Sequence, residues 1–138
     1  MIIHFFEPMI PPTVTHQEKS ISIRHGKPVV YEPPELKDAR AKLMAYIGKH
    51  RPEQPLTGAI ELFVEWRFPV VGDHNDHEPK LTKPDTDNLQ KLLKDVMTHL
   101  GFWKDDAQVF REHVCKIYAG TPGIGIYVTN EHDERVWV

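Results

Sequence analysis

The sequence predicts an α/β (α+β) fold, a single domain with a mixed β-sheet flanked by two main helices. Three observations predict it. Apolar residues recur at helical spacing in two segments, Leu36 to Ile47 and Leu89 to Leu100. The segment Ala59–Phe68 alternates with period two instead. Two further β-like segments, Val109–Tyr118 and Gly123–Val128, follow each other across a Gly120-Thr121-Pro122-Gly123 turn. Helices alternating with strands that end in an adjacent β pair describe layers of helix on sheet. The 138 residues suit one core, since domains commonly run about 100–150 residues. The domain is taken as residues 1–138, with about 129–138 as a C-terminal tail.

Each element has its own signal. Ile2 to Phe6 reads as a strand that stops at Pro8 and Pro11-Pro12. A loop through Thr13–His25 follows, His25-Gly26-Lys27-Pro28 reads as a turn, and Val29-Val30-Tyr31 as a short strand. The first helix starts near Pro34, because proline suits the first helical turn. Leu36, Ala39, Leu43 and Ile47 form its stripe; Gly48, Lys49-His50-Arg51 and Pro52 end it. In the Ala59–Phe68 strand, Ile60, Leu62, Val64, Trp66 and Phe68 share one face, with Glu61, Glu65 and Arg67 on the other. A polar loop spans Pro69 to Pro84. In the second helix Leu89, Leu92, Leu93, Val96, Met97 and Leu100 occupy i, i+3, i+4, i+7, i+8 and i+11, and Gly101 closes it.

Composition limits the function classes. With 40% hydrophobic and 27% charged residues the chain is globular rather than disordered. One cysteine, Cys115, excludes an intrachain disulfide and a thiolate zinc cluster. It lies on a strand, is expected to be buried, and has no paired base. No apolar run reaches the roughly 18 residues of a membrane span, and Met1–Glu7 lacks the marks of a signal peptide, so a cytoplasmic location is expected. The formal charge of −3 argues against non-specific coating of DNA. Two bound divalent ions would bring it to roughly +1, so a metal-dependent enzyme acting on phosphates remains open.

The chemistry concentrates in Lys83-Pro84-Asp85-Thr86-Asp87-Asn88-Leu89-Gln90-Lys91 and Phe102-Trp103-Lys104-Asp105-Asp106. One carboxylate at a helix start is an ordinary cap. Two of them two residues apart, with another pair beyond the helix, exceed what a cap requires. Hard cations such as Mg²⁺ take oxygen ligands, commonly one or two carboxylates with water and substrate phosphate. Lys91 and Asp95 follow Asp87 at successive i+4 steps on one helix side. Taken alone, that series reads as a solvated salt-bridge ladder, and Asp105-Asp106 as a polar loop. Together with a lysine they supply what phosphodiester hydrolysis needs, namely cations that activate water and screen developing charge. Asp73-His74-Asn75-Asp76-His77-Glu78 reads as a loop rather than a zinc site, which wants four placed ligands. Trp66 is assigned to the core; Phe102 and Trp103 are open between core and base stacking.

The string KPDTDNLQK, a helix carrying Asp95, and then GFWKDDAQV closely resemble the RusA family of Holliday junction resolvases. Asp85 and Asp87 are two apart, Lys91 is four after Asp87, and Asp106 nineteen after it. The likeness is strongest over residues 83–109 and weaker over GKPVVYEPP. It implies a RusA-like homodimeric nuclease that resolves four-way junction DNA by symmetric cuts in recombination and repair. Asp85, Asp87 and Asp106 would bind Mg²⁺, with Mn²⁺ as a substitute, and Lys91 would be catalytic. Asp105 and Asp95 are secondary metal candidates. Relatives carry basic residues after the first strand where this chain has Pro11 to Glu18. The candidate DNA contacts are Lys19, Arg24, Lys27, Lys80, Lys83 and Lys94. The alternatives are a non-catalytic branched-DNA binder and a metal-dependent phosphoesterase acting on small nucleotides.

Overall fold

Strand β4, Ile60–Pro69, organises the sheet. Its residues Ile60, Leu62, Val64, Trp66 and Phe68 are all buried while those between them are half-buried, as expected of a strand packed on one face. The computed structural model describes residues 1–15, 20–24 and 26–132. Along the chain, β1 (Ile2–Pro8), β2 (Ser20–Arg24), β3 (Lys27–Tyr31) and α1 (Pro34–Gly48) precede β4. After it come α2 (Thr86–His99), a 3-10 turn (Asp106–Gln108), β5 (Val109–Ala119) and β6 (Gly123–Thr129).

The main sheet has the order β1-β6-β4-β5, and β2 and β3 form a separate hairpin. β6 is antiparallel to β1 and β4, whereas β4 and β5 are parallel. The mixed sheet and its two helices match the fold class that the apolar patterning predicts. Parallel neighbours cannot be joined by a tight hairpin and need a crossover; α2 is that crossover. It buries Leu89, Leu92, Leu93, Val96 and Met97 in one cluster with Leu62, Val64 and Trp66 of β4 and Leu36, Leu43 and Ile47 of α1. Register then decides what β5 shows to this side. Leu62 pairs with Glu112, Val64 with Val114, Trp66 with Lys116 and Phe68 with Tyr118, and directly paired residues share a face. Two charged residues of β5 therefore stand on the helix-covered face.

Glu7 ties β1 to the end of α1. Its buried carboxylate accepts from Lys49 Nζ (2.5 Å) and pairs with His50 Nε2 (2.9 Å). Burial by itself would raise the Glu7 carboxyl, but the bonds from His50 and Lys49 outweigh it and hold the group below the usual range.

Three expectations change. Residues Ser20–Arg24, inside the expected loop Thr13–His25, form β2. Gly26 at φ 75° closes a tight hairpin there, and a five-residue Ser/Ile alternation was too short to stand out from its polar surroundings. Thr129, placed in the expected tail, is the last residue of β6 and pairs with Ile2; residues 133–138 lie outside the described residues, as does Lys19. Cys115 is exposed rather than buried, because it pairs with Glu65 and so shares the parity opposite to Trp66.

Gly123 faces Pro8 where β6 meets β1. A Cβ there would collide with the Glu7 carbonyl oxygen and come within 2.6 Å of the Phe6 ring. Gly123→Ala is therefore expected to cost about 1–3 kcal/mol, the usual penalty of overpacking, read as a lowered urea midpoint with an unchanged slope. An unchanged midpoint would mean that β1 yields freely at this point.

Candidate active site

The site is built along α2. Asp85 is the helix N-cap residue, in extended conformation, yet its side chain makes no capping hydrogen bond; its backbone carbonyl accepts from Leu89 N–H (3.1 Å). Nothing in the helix consumes the carboxylate. Asp87 stands exposed in the first turn, where the helix dipole favours negative charge. Between α2 and β5 runs an open cleft of about 490 Å³. Asp87, Lys91, Lys94, Asp95, Asp106 and Glu112 supply its charged lining, together with Gln90. The i+4 series of Asp87, Lys91 and Asp95 thus faces one cavity rather than bulk solvent alone.

Asp106 opens the 3-10 turn and is exposed. Asp105 has a structural task as the cap of that turn: its Oδ1 accepts from Ala107 N–H (2.8 Å). Gln108 completes the cap, its Oε1 accepting from Lys104 and Asp105 N–H (3.1 Å each), while its Nε2 donates to Leu56 O and Gly58 O. Asp105 lines a neighbouring depression with Asp95, Asp106, Arg40, His99 and Lys104. Asp95 and Asp106 border both hollows.

Neither Asp85 nor Asp105 is in the cleft lining. Asp85 directly precedes the lining residues Thr86 and Asp87, and is close enough to Lys116 for attraction to oppose the fall in that lysine's pKa, which burial and Lys80 cause. From Asp87 to Asp95 is eight residues, about 12 Å along the helix, and Asp106 lies beyond the far end of α2. Among the described residues no three Asp, Glu, His or Cys side chains converge closely enough to hold an ion.

The structure adds two residues to the cleft that spacing did not reveal. Gln90 is buried and joins core to cleft: Trp66 Nε1–H donates to Gln90 Oε1 (2.7 Å), and Gln90 Nε2 donates to Glu112 Oε2 (2.9 Å). Indole is a donor only and a carboxylate an acceptor only, so the amide orientation is forced. Lys94 Nζ takes the other Glu112 oxygen (3.2 Å). The signal for Glu112 was its parity with Val114 on β5, a charge on the core-facing side of a strand. Gln90→Leu strands the Trp66 N–H in the core and is expected to cost about 1–3 kcal/mol in urea unfolding. A change within about 0.5 kcal/mol would mean that the indole finds another acceptor.

The other candidates lie elsewhere. Lys80 donates to Thr82 Oγ1 (2.6 Å) and stands over the Phe68 and Tyr118 rings; Lys83 is exposed on the same loop. Arg24 and Lys27 belong to the β2-β3 hairpin. Phe102 and Trp103 are buried, which settles them as core rather than base-stacking residues. His74 stacks on Tyr118 and pairs with Glu78, and Asp76 accepts from Gly120 N–H (2.9 Å). That loop is pinned by its own polar groups. The Cys115 thiol is pushed up by partial desolvation and by Glu65, against a smaller pull from Arg67, which disfavours a thiolate nucleophile.

With this geometry in view, the family comparison decides. The sequence profile described as Endodeoxyribonuclease RusA matches residues 9–129. The chain belongs to the RusA family. It is therefore grouped with endodeoxyribonucleases. The uncharacterized protein YqaN of Bacillus subtilis (strain 168) is 30% identical over 118 residues, 78% of this chain and 82% of that protein. The crossover junction endodeoxyribonuclease RusA of Escherichia coli (strain K12) is 49% identical over 41 residues, 30% of this chain and 34% of that protein. The enzyme of the same name from Enterobacteria phage 82 gives the same identity and coverage. These matches span about a third of the length of the crossover junction enzymes. Among the described residues no helix is long and apolar enough to cross a membrane.

Proposed function

We propose that this RusA-family chain is a Mg²⁺-dependent, structure-specific endonuclease that resolves Holliday junctions by paired symmetric nicks in DNA recombination and repair. The observation that carries the reading is the cleft along α2, where Asp87, Asp95 and Asp106 line one cavity with Lys91. Two of the similar proteins are named crossover junction endodeoxyribonucleases, which supports a branched-DNA substrate.

The donors fit a hard cation. In kind they are carboxylate oxygens without thiolate or imidazole, although among the described residues no three of them converge. Mg²⁺ needs only one or two carboxylates, with water and substrate phosphate completing its shell. Asp85, Asp87 and Asp106 would hold it, Asp95 and Asp105 orienting water or ligands nearby; Mn²⁺ would substitute. An ion held by these carboxylates would supply water activation and charge screening at the phosphate. Lys91 presents an ammonium to the charge that develops on the phosphoryl or leaving oxygens. Lys94 lines the same cleft as a phosphate contact, and Lys80, Lys83, Arg24, Lys27 and Lys19 are proposed contacts further along the DNA.

Two equivalent strands of a four-way junction need two clefts, and one chain carries a single set of these residues. A homodimer with a two-fold axis, the commonest oligomer symmetry, supplies the pair.

A labelled synthetic four-way junction, its matching linear duplex and a small phosphodiester ester, each with and without Mg²⁺, test the reading. Cutting of the junction alone, and only with Mg²⁺, is expected. Retention of the junction without cutting would favour a non-catalytic binder, and turnover of the small ester regardless of DNA structure a phosphoesterase.

A further inference from the structure

The loop that delivers Asp85 to the start of α2 is attached step by step to the edge of β5. His77 N–H donates to Tyr118 O (2.7 Å), Tyr118 N–H to Glu78 O (2.9 Å) and Lys80 N–H to Lys116 O (3.0 Å). Over residues 81–84 the attachment passes to a side chain. Lys116 Nζ donates to Thr82 O (2.7 Å) and to Pro84 O (2.8 Å).

We propose that Lys116 is a positioning residue that fixes the Asp85 carboxylate, next to the cleft residues Thr86 and Asp87, for cation binding. The proposal rests on the reading of Asp85 as a metal ligand. The Pro84 carbonyl belongs to the peptide unit that ends at the Asp85 Cα, and that unit is planar. Holding its oxygen therefore sets the plane from which the Asp85 side chain departs. Asp85 receives no such direction from the helix, since it makes no side-chain cap bond. Lys116 is itself well placed to give it. Its register opposite Trp66 puts it on the helix-covered face, and it is half-buried there. An ammonium has three donors, and two of them are committed to the loop carbonyls.

A lysine that merely stabilised the loop would affect melting but not the affinity of a folded protein for metal. The test is Mn²⁺ binding to the free protein, followed by the electron paramagnetic resonance signal of unbound Mn²⁺, for the wild type, Lys116→Met, Asp85→Asn and the double variant. Lys116→Met is expected to fold and to bind Mn²⁺ about tenfold more weakly, the scale for losing a partner that orients a metal ligand. Asp85→Asn is expected to weaken binding at least as much. The double variant should be no weaker than Asp85→Asn, because the lysine acts through that carboxylate. Lys116→Arg, which keeps the charge and offers a fork of donors, should recover most of the affinity. Wild-type affinity in Lys116→Met alongside weakened binding in Asp85→Asn would overturn the positioning role. Wild-type affinity in Asp85→Asn would instead overturn Asp85 as a ligand. Should Lys116→Met fail to fold, Lys116→Gln, with a shorter uncharged donor, carries the same comparison.

Discussion

Asp106→Asn and, separately, Asp87→Asn are expected to leave a four-way junction bound but essentially uncut. Each replacement keeps the side-chain size and removes the charge that attracts a hard divalent ion. Loss of one electrostatic contributor to a transition state commonly costs about 10²–10³ in rate, and weaker ion occupancy adds to that at low Mg²⁺. Affinity for the junction should persist or rise, since each change also removes a negative charge from a cleft that must admit phosphate. Single-turnover cleavage over a Mg²⁺ series, with gel retention in Ca²⁺, separates the two effects. Normal cutting by Asp106→Asn at low Mg²⁺ would remove that residue from the ligand set.

Lys91→Ala is expected to lower turnover by about 10²–10³ with a much smaller change in junction affinity. Lys91 lines the cleft one turn after Asp87, and in the proposed function its ammonium meets the charge that grows during the reaction. An interaction made mainly in the transition state appears in the rate and not in ground-state binding. Lys91→Arg should recover part of the loss, because a planar guanidinium carries its charge at a different point. If Lys91→Ala turns over normally and only binds more weakly, with a reduced salt dependence, the residue is a phosphate contact like those that anchor any DNA-binding protein.

The elements governed by apolar periodicity were legible in the sequence. β4 and α2 show uninterrupted stripes, and both appear within a few residues of their expected bounds. β2 was not legible, since a hairpin of five-residue strands carries too few apolar positions to announce a face. Within the site, Asp87, Lys91 and Asp95 were legible because helical spacing translates directly into a shared side. Asp106 was legible only through its fixed distance from a known motif. Glu112 and Lys116 share the parity of Val114, but only the pairing of β5 with β4 shows that this parity faces α2. Gln90 on α2 depends on the same pairing through its bonds to Trp66 and Glu112. A register is a long-range fact that local spacing does not encode. Cys115 shows the same effect from the other side. One step of parity separates it from Val114 and Lys116, and that step puts its thiol on the open face rather than under α2.

The most direct test of the central claim is to map cleavage on a four-way junction labelled on each of its four strands in turn. The cleft of Asp87, Lys91 and Asp106, doubled by a two-fold axis, predicts cuts in one opposed pair of strands at symmetry-related positions. These cuts should require Mg²⁺ or Mn²⁺ and be absent with Asp106→Asn. Nicks scattered over all four strands, or the same cuts in excess chelator, would contradict it.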